Sequence, residues 1–278
     1  MISQTEKARA FQALHTRSGC FVIPNPWDAG TARLLAGLGF EALATTSAGF
    51  AFSLGRPDAE GAIDRDETLA NARAIVEATD LPVSADLEGG FGDSPEVCAD
   101  TIRRAAAVGL VGGSIEDATG RAEAPIYPFD QAVARVRAAV GAARSLAFPF
   151  MLTARAENYL HGRPDVADTI ERLQAFQEAG ADVLYAPGLR SREDIAAVVR
   201  AVDRPVNVVM GLKGPRFTVA ELAEIGVKRI SVGSALARAA LGAFMRASRE
   251  IKEQGTFGFA DDAMPFAELN ALFGRQSR

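Results

Sequence analysis

Two carboxylates, Asp86 and Glu88, stand one residue apart in "VSADLEGGFG", where an apolar run gives way to glycines. Residues i and i+2 leaving a strand point the same way, so alternation predicts that the pair shares one small space. Like charges that close repel unless a cation stands between them. Other short apolar runs also end in polar residues: Thr46 and Ser47, Glu116 and Asp117, Arg155 and Glu157, with Asn207 inside "PVNVV". The set is acidic, with one arginine and no histidine or cysteine. Hard oxygen donors without soft ones suit Mg²⁺ or Mn²⁺, held partly through water. Such a cation is a Lewis acid for a carbonyl or enolate oxygen. Plainer uses stand beside these. Asp86 and Glu88 would equally start a Gly-rich loop that caps the next helix. Glu116 and Asp117 suit a turn, and Arg155 and Glu157 a rim ion pair.

Whether these residues meet depends on the elements that carry them. Strands are predicted at "CFVIPN", "EALATT", "LPVSAD", "GGSIED", "FMLTAR", "ADVLYA", "RPVNVVM" and "VKRISVG", with Ala-rich helical patterns between them. Gly37, Gly39, Gly109, Gly180 and Gly226 sit where helices would end before the next strand. Eight such units without a Pro/Gly/Ser-rich linker predict one (β/α)₈ barrel over 1–278, with 234–278 as a C-terminal helical extension. A doubly wound sheet is disfavoured, because no G-x-G-x-x-G follows the first strand. In such barrels the C-terminal strand ends carry the active site, which is where the polar residues fall. "NPWDAG" reads as a helix start, with Asn25 as cap, Pro26 in the first position and Asp28 as a first-turn acid. Trp27, the single tryptophan, reads as core packing or as a pocket wall. The glycines of "GLKG" (Gly211–Gly214) and Gly233–Ser234 read as ordinary loop residues.

A formal net charge of -5 leaves no basic footprint for nucleic acid. No apolar stretch is long enough to span a bilayer, and the N-terminus reads as an amphipathic helix instead of a signal peptide. Cys20 and Cys98 lack disulfide or zinc spacing, and His15 and His161 stand alone. The expectation is a reduced, cytoplasmic protein with no membrane or nucleic-acid partner.

Taken together, "NPWDAGTARLLAGLGFEALATTSAGFAFSLGRPD", "ADLEGGFG", "SIED", "TARAEN" and "GVKRISVG" resemble the isocitrate lyase/phosphoenolpyruvate mutase superfamily over most of the chain. "ADLEGGFG" is similar to its D-x-D-x-G-Y-G signature, with Glu88 in the second acidic place. The resemblance implies Mg²⁺ held by Asp86 and, mainly through waters, by Glu88, Glu116 and Asp58. It implies a 2-oxo acid whose carboxylate is cradled by Thr46, Ser47 and Ala48, with Trp27 and Asn207 at the substrate. Arg155 would supply a fixed positive charge opposite the metal, and Arg155, Ser47 and Glu116 are the residues expected to act in catalysis. A homotetramer, built as a dimer of helix-swapped dimers, is implied for the helix after Ser234.

One loop departs from the family. Its lyases carry Lys, Cys, Gly and His after the strand-four acids, whereas "EDATGRAEAPIYPFD" has no Lys, Cys or His. Arg121, Glu123 and Tyr127 are the polar residues there, and Tyr127 reads as packing before proton donor. Cys98, held on a helix elsewhere, is not expected to stand in. The expected activity is Mg²⁺-dependent carbon–carbon cleavage of a small 2-hydroxy or 2-oxo di- or tricarboxylate through an enolate. Substrates like isocitrate, methylisocitrate, dimethylmalate or oxaloacetate are implied. Alternatives are carbon–phosphorus chemistry of the mutase or phosphonopyruvate hydrolase kind, and a barrel that binds 2-oxo acids without catalysis.

Overall fold

Each predicted alternating run forms a strand: β1 (Phe21–Ile23), β2 (Leu43–Ala44), β3 (Val83–Asp86), β4 (Gly112–Glu116), β5 (Met151–Arg155), β6 (Val183–Tyr185), β7 (Val206–Val209) and β8 (Arg229–Ser231). This computed structural model describes residues 2–58, 61–214 and 216–274, so the last residues of the expected 234–278 extension lie outside it. All strand pairs are parallel, in the order β1-β8-β7-β6-β5-β4-β3-β2. At the seam, the Ala44 N–H donates to Pro24 O at 3.1 Å and joins β2 to the exit of β1. The (β/α)₈ barrel is thereby nearly closed.

Eleven helices are described: α1 (Gln4–Thr16), α2 (Ala29–Gly37), α3 (Ser47–Ser53), α4 (Arg65–Glu77), α5 (Pro95–Ala107), α6 (Phe129–Arg144), α7 (Val166–Glu178), α8 (Arg192–Ala201), α9 (Val219–Glu224), α10 (Ala235–Gln254) and α11 (Phe266–Gly274). Gly39, Gly109, Gly180 and Gly226 take the left-handed conformation after their helices, as expected, while Gly37 remains the last helical residue of α2. The start of α2 differs from expectation. Asp28 is its N-cap, accepting from the Thr31 N–H at 2.7 Å, because Thr31 completes a reciprocal capping box. Asn25 caps nothing. Its Nδ2 donates to Thr45 O at 2.9 Å, and its Oδ1 accepts from the N–H groups of Val232 (2.9 Å) and Gly233 (3.0 Å). One buried amide thus ties β1, β2 and β8 together at the mouth, where the strand ladder leaves a gap.

Period-2 alternation splits the apolar residues into two layers. Val83, Ala85, Ile115, Leu152, Leu184, Val208 and Ile230 face the surrounding helices. Phe21, Ile23, Met151 and Val183 close the barrel floor, where α1 inserts Phe11 and Leu14 as a plug. His15 is buried in that plug, edge-on to Phe11 and Phe21, with Nδ1 2.8 Å from Phe11 O. A carbonyl only accepts, so the ring proton sits on Nδ1 and Nε2 is left without a partner. Burial pushes its pKa from 6.5 down to about 3, with the positive charge of Arg229 adding to the effect. The folded state therefore binds fewer protons than the unfolded one, and stability is whole above pH 6.5 and lost as pH falls. Between pH 6.5 and 5 the loss should be about 2 kcal/mol, at about 1.4 kcal/mol per unit. Urea unfolding of the wild type and His15→Leu at pH 7.5 and 5.0 checks this; an equally steep loss in the variant would place the sensitivity elsewhere.

After β8 the packing changes. Among the residues of α10 only Ala237 is buried, and Leu236, Leu241, Phe244, Met245 and Ile251 are exposed. α11 returns to the barrel, where Leu272 and Phe273 lie against Gly37 and Gly30 of α2. No described helix is long and apolar enough to cross a membrane.

Candidate active site

Arg155 ends β5 pointing into the mouth of the barrel, and three carboxylates converge on it. Nη1 meets Asp86 Oδ1 at 2.9 Å, Nη2 meets Glu116 Oε2 at 3.0 Å, and Nε meets Glu157 Oε1 at 2.8 Å. Its guanidinium also lies 5.2 Å from the Tyr185 ring centroid. The acids come from the ends of β3 and β4 and from just beyond β5. Glu157 is buried at 2% exposure, so the Arg155–Glu157 pair is an interior one and no rim contact. Burial raises the pKa of Glu116 well above the ordinary value, against the pull of Arg155, and Glu157, Asp86 and Glu88 raise it further. Glu157 is raised for the same leading reason.

Beneath this cluster lies a second one. The Glu157 N–H donates to Asp117 Oδ1 at 2.8 Å, and Asp117 Oδ2 accepts from Arg172 at 3.1 Å. Arg172 also donates to Tyr127 O and to Asp168. Asp117 therefore holds the backbone behind Arg155 and does not face the cleft.

Asp86 and Glu88 do not share a space. The strand ends at Asp86, and Glu88 adopts φ 49°, so alternation stops applying one residue too early for the expectation. Asp86 lines an inner cavity of about 170 Å³ within the barrel, while Glu88 lines an outer cleft of about 1140 Å³. The cation facing Asp86 is Arg155. Ser47 Oγ also donates to Asp86 Oδ2 at 3.0 Å, and the Glu88 N–H to Oδ1 at 3.3 Å.

The loop after Glu88 is held from below. Gly90 has φ 80°, and a Cβ there would meet Cys98 Sγ at 2.9 Å, so only glycine fits. Cys98 is a buried support for that loop, away from the cleft as expected. Arg135 donates to the carbonyls of Gly89, Gly92 and Asp93 and lies 4.0 Å from the Tyr127 ring centroid.

The strand-four loop folds back on itself, with Thr119 N–H donating to Pro125 O and Tyr127 N–H to Asp117 O. Arg121 pairs with Asp93 at 2.9 Å, and Tyr127 donates its hydroxyl to the same Asp93. Burial and this bond raise the Tyr127 pKa to about 12.

The remaining expected residues divide. Ser47, Asp58 and Arg155 line both cavities, which makes the two continuous, and Thr46 and Ala48 line the inner one. Desolvation, then the charge of Asp86, raises the pKa of Asp58. Thr46 caps α3, its hydroxyl accepting from the Gly49 N–H at 3.2 Å. Trp27 lines neither cavity; its Cβ packs behind α3 at Gly49, whose missing side chain makes the room. Asn207 lines the inner cavity, but its amide is engaged by the protein, accepting from Arg229 at 2.8 Å and donating to Ser231 at 3.0 Å. Arg229 and Tyr185 are residues that strand patterning passed over. An arginine inside the predicted strand "VKRISVG" was the available signal for the first.

A family model described as phosphoenolpyruvate phosphomutase matches residues 11–252. The chain belongs to the isocitrate lyase/phosphoenolpyruvate mutase superfamily. One superfamily structure, a provisionally assigned lyase/mutase of Burkholderia cenocepacia, is 64% identical with a TM-score of 0.95, covering 97% of this chain and 96% of its own. The 2,3-dimethylmalate lyase of Eubacterium barkeri is 30% identical, covering 91% of this chain and 89% of its own. The 2-methylisocitrate lyase of Aeropyrum pernix is 32% identical, with coverage of 84% and 76%.

For a superfamily member the donor set can be tested against a divalent cation. Asp86, Glu116 and Glu157 meet Arg155, with Asp58 beside them and Glu88 on the adjoining cleft wall; burial first, and then the neighbouring acids, raise the pKa of Asp58, Glu116 and Glu157. Among the described residues no three acidic, histidine or cysteine side chains are placed to hold a metal ion by themselves. That combination fits a hydrated hard cation, which takes one or two carboxylates and keeps several waters.

Proposed function

We propose that the protein cleaves a carbon–carbon bond in a small 2-hydroxy or 2-oxo di- or tricarboxylate, leaving an enolate. The observation that carries this reading is Arg155, a largely buried cation, 13% exposed, fixed by three acids at the mouth of the barrel. Charge that develops on an enolate is stabilised by groups already in place, and one such donor contributes roughly 3–4 kcal/mol to the barrier. Asp86 would hold Mg²⁺ or Mn²⁺, with Glu88, Glu116 and Asp58 reaching it through water; bound there, the cation supplies a Lewis acid for the substrate oxygen. Ser47 orients Asp86 through its 3.0 Å hydrogen bond. Ala48 and the Thr46 cap of α3 form the wall expected at the substrate carboxylate. Glu116 holds a proton to higher pH than an ordinary glutamate, which suits it to a proton-sharing role. The names of the dimethylmalate and methylisocitrate lyases support this substrate class.

A screen of small di- and tricarboxylates with Mg²⁺, reading out pyruvate, glyoxylate and oxalate, tests the proposal. Release of a 2-oxo acid is expected. Phosphorus NMR on phosphonopyruvate is the counter-arm, because a changed phosphonate signal without carbon–carbon cleavage would transfer the same site to carbon–phosphorus chemistry. No turnover in either arm would leave a 2-oxo-acid-binding barrel. The exposed apolar residues of α10 support the further reading that copies of this chain pair through it. Light scattering should give an oligomer that Phe244→Glu makes smaller; a monomeric wild type would remove that reading.

A further inference from the structure

The inner cavity ends on a charge that the proposed reaction does not use. Arg229 points into the barrel from β8 and is 6% exposed. Its Nε donates to Asn207 at 2.8 Å and its Nη2 to Thr153 Oγ1 at 3.0 Å, so the side chain crosses the interior from β8 to β5. Thr153 and Arg155 alternate on the inner side of β5, which puts Arg229 roughly 7 Å below the Arg155 layer. Here the two arginines part company. Arg155 spends all three of its directions on carboxylates, whereas Arg229 has no carboxylate partner among the described residues, and no described group accepts from its Nη1.

The titratable groups around Arg229 do not offset its charge. They are Tyr185 and the cationic Arg155, with neutral His15 on the floor side. Burial lowers its pKa to about 10, so it stays protonated at neutral pH. Buried charges are ordinarily paired, because leaving one unpaired in a dry interior is among the costliest arrangements a fold can hold. The space beside this one carries polar side chains among apolar ones and is open to the cleft. The cavity of about 170 Å³ is lined by Ser84, Ser114, Thr153, Tyr185, Asn207 and Ser231. It has room for roughly five waters or one small carboxylate.

We propose that Arg229, with Thr153, Asn207 and Ser231 around it, is an anion subsite inside the barrel that receives one carboxylate group of a small di- or tricarboxylate. That the carboxylate belongs to a substrate rests on the proposed function; that a carboxylate binds there does not. Calorimetric titration with malonate in EDTA, on the wild type, Arg229→Lys and Arg229→Met, reads the site without turnover. Affinity should fall at least tenfold in Arg229→Met and less in Arg229→Lys. Unchanged affinity in Arg229→Met overturns the proposal. A wild-type crystal soaked in bromide and one soaked in malonate decide the matter if the variants do not fold. Bromide beside Nη1 and a malonate carboxylate at the same place support the subsite. Bromide without malonate overturns its assignment to carboxylates, and water alone in both overturns it altogether. A wild type that binds malonate at Arg229 yet turns over no substrate would count against the proposed function and leave the subsite standing.

Discussion

Arg155→Gln should lose at least 10³-fold in kcat and become markedly less stable, and the two losses should separate on further mutation. The catalytic loss follows from removing a fixed charge where the enolate develops, worth roughly 10²–10³ for one donor and more for a full cation. The stability loss has another origin. Asp86, Glu116 and Glu157 are left facing one another in a site where their side chains are at most 19% exposed. Breaking a buried pair from one side typically costs about 3–5 kcal/mol, because the orphaned charge cannot be resolvated. The acids will respond by keeping their protons, so the variant's melting temperature should fall more steeply from pH 5 to 8 than the wild type's. Glu116 and Glu157 already have raised pKa values in the wild type, and a carboxylic acid raised in the folded state loses stability as pH climbs past its ordinary 4.5. Arg155→Gln combined with Glu157→Gln removes one of the stranded charges. It should recover part of the melting temperature and none of the turnover. A single variant retaining a tenth of wild-type kcat would remove Arg155 from the chemistry, and a double variant no more stable than the single would refute the ion-pair account.

That interplay was only partly legible in the sequence, and the reason is physical. The eight strands and the ends of α5, α7 and α9 could be read because alternation and left-handed glycines are local signals. Placing Asp86, Glu116 and Arg155 on one face followed from the barrel itself. Local rules failed where backbone or partners changed the geometry. Glu88 was assigned by alternation, but its left-handed φ of 49° sends it to the outer cleft. Asn25 looked like a cap, yet contacts with Thr45, Val232 and Gly233, as many as 208 residues away, define its role. Glu157 looked like a rim residue because a sequence shows no depth. Arg229 and Tyr185 went unnoticed because inward strand positions are expected to fill a barrel with apolar side chains, and this interior carries several polar ones among them.

Asp86→Asn supplies the sharper test of the metal, because it changes a charge while nearly preserving a shape. In the wild type burial raises the pKa of Asp58 and Glu116, and the charge of Asp86 adds to the effect. Bound Mg²⁺ would favour the ionised forms, so its stabilising effect should grow as pH rises above the ordinary carboxylate range. At about 100 times the dissociation constant, binding to the folded state alone contributes about 2.7 kcal/mol. In a protein of this size that corresponds to a melting temperature raised by roughly 5 °C. The amide keeps an oxygen able to accept from Arg155 or Ser47 but loses the charge that anchors the cation. Asp86→Asn should therefore melt no lower than the wild type in EDTA, show little response to Mg²⁺ at pH 8, and lose at least 10³-fold in turnover. Stability and activity would then move independently, which damage to folding cannot imitate. An equal Mg²⁺ response in the variant, or none in the wild type, would take the metal away from Asp86. Should the variant instead melt several degrees lower in EDTA, Asp86 would be the partner Arg155 needs in order to fold, and its place in the acid cluster would be structural first.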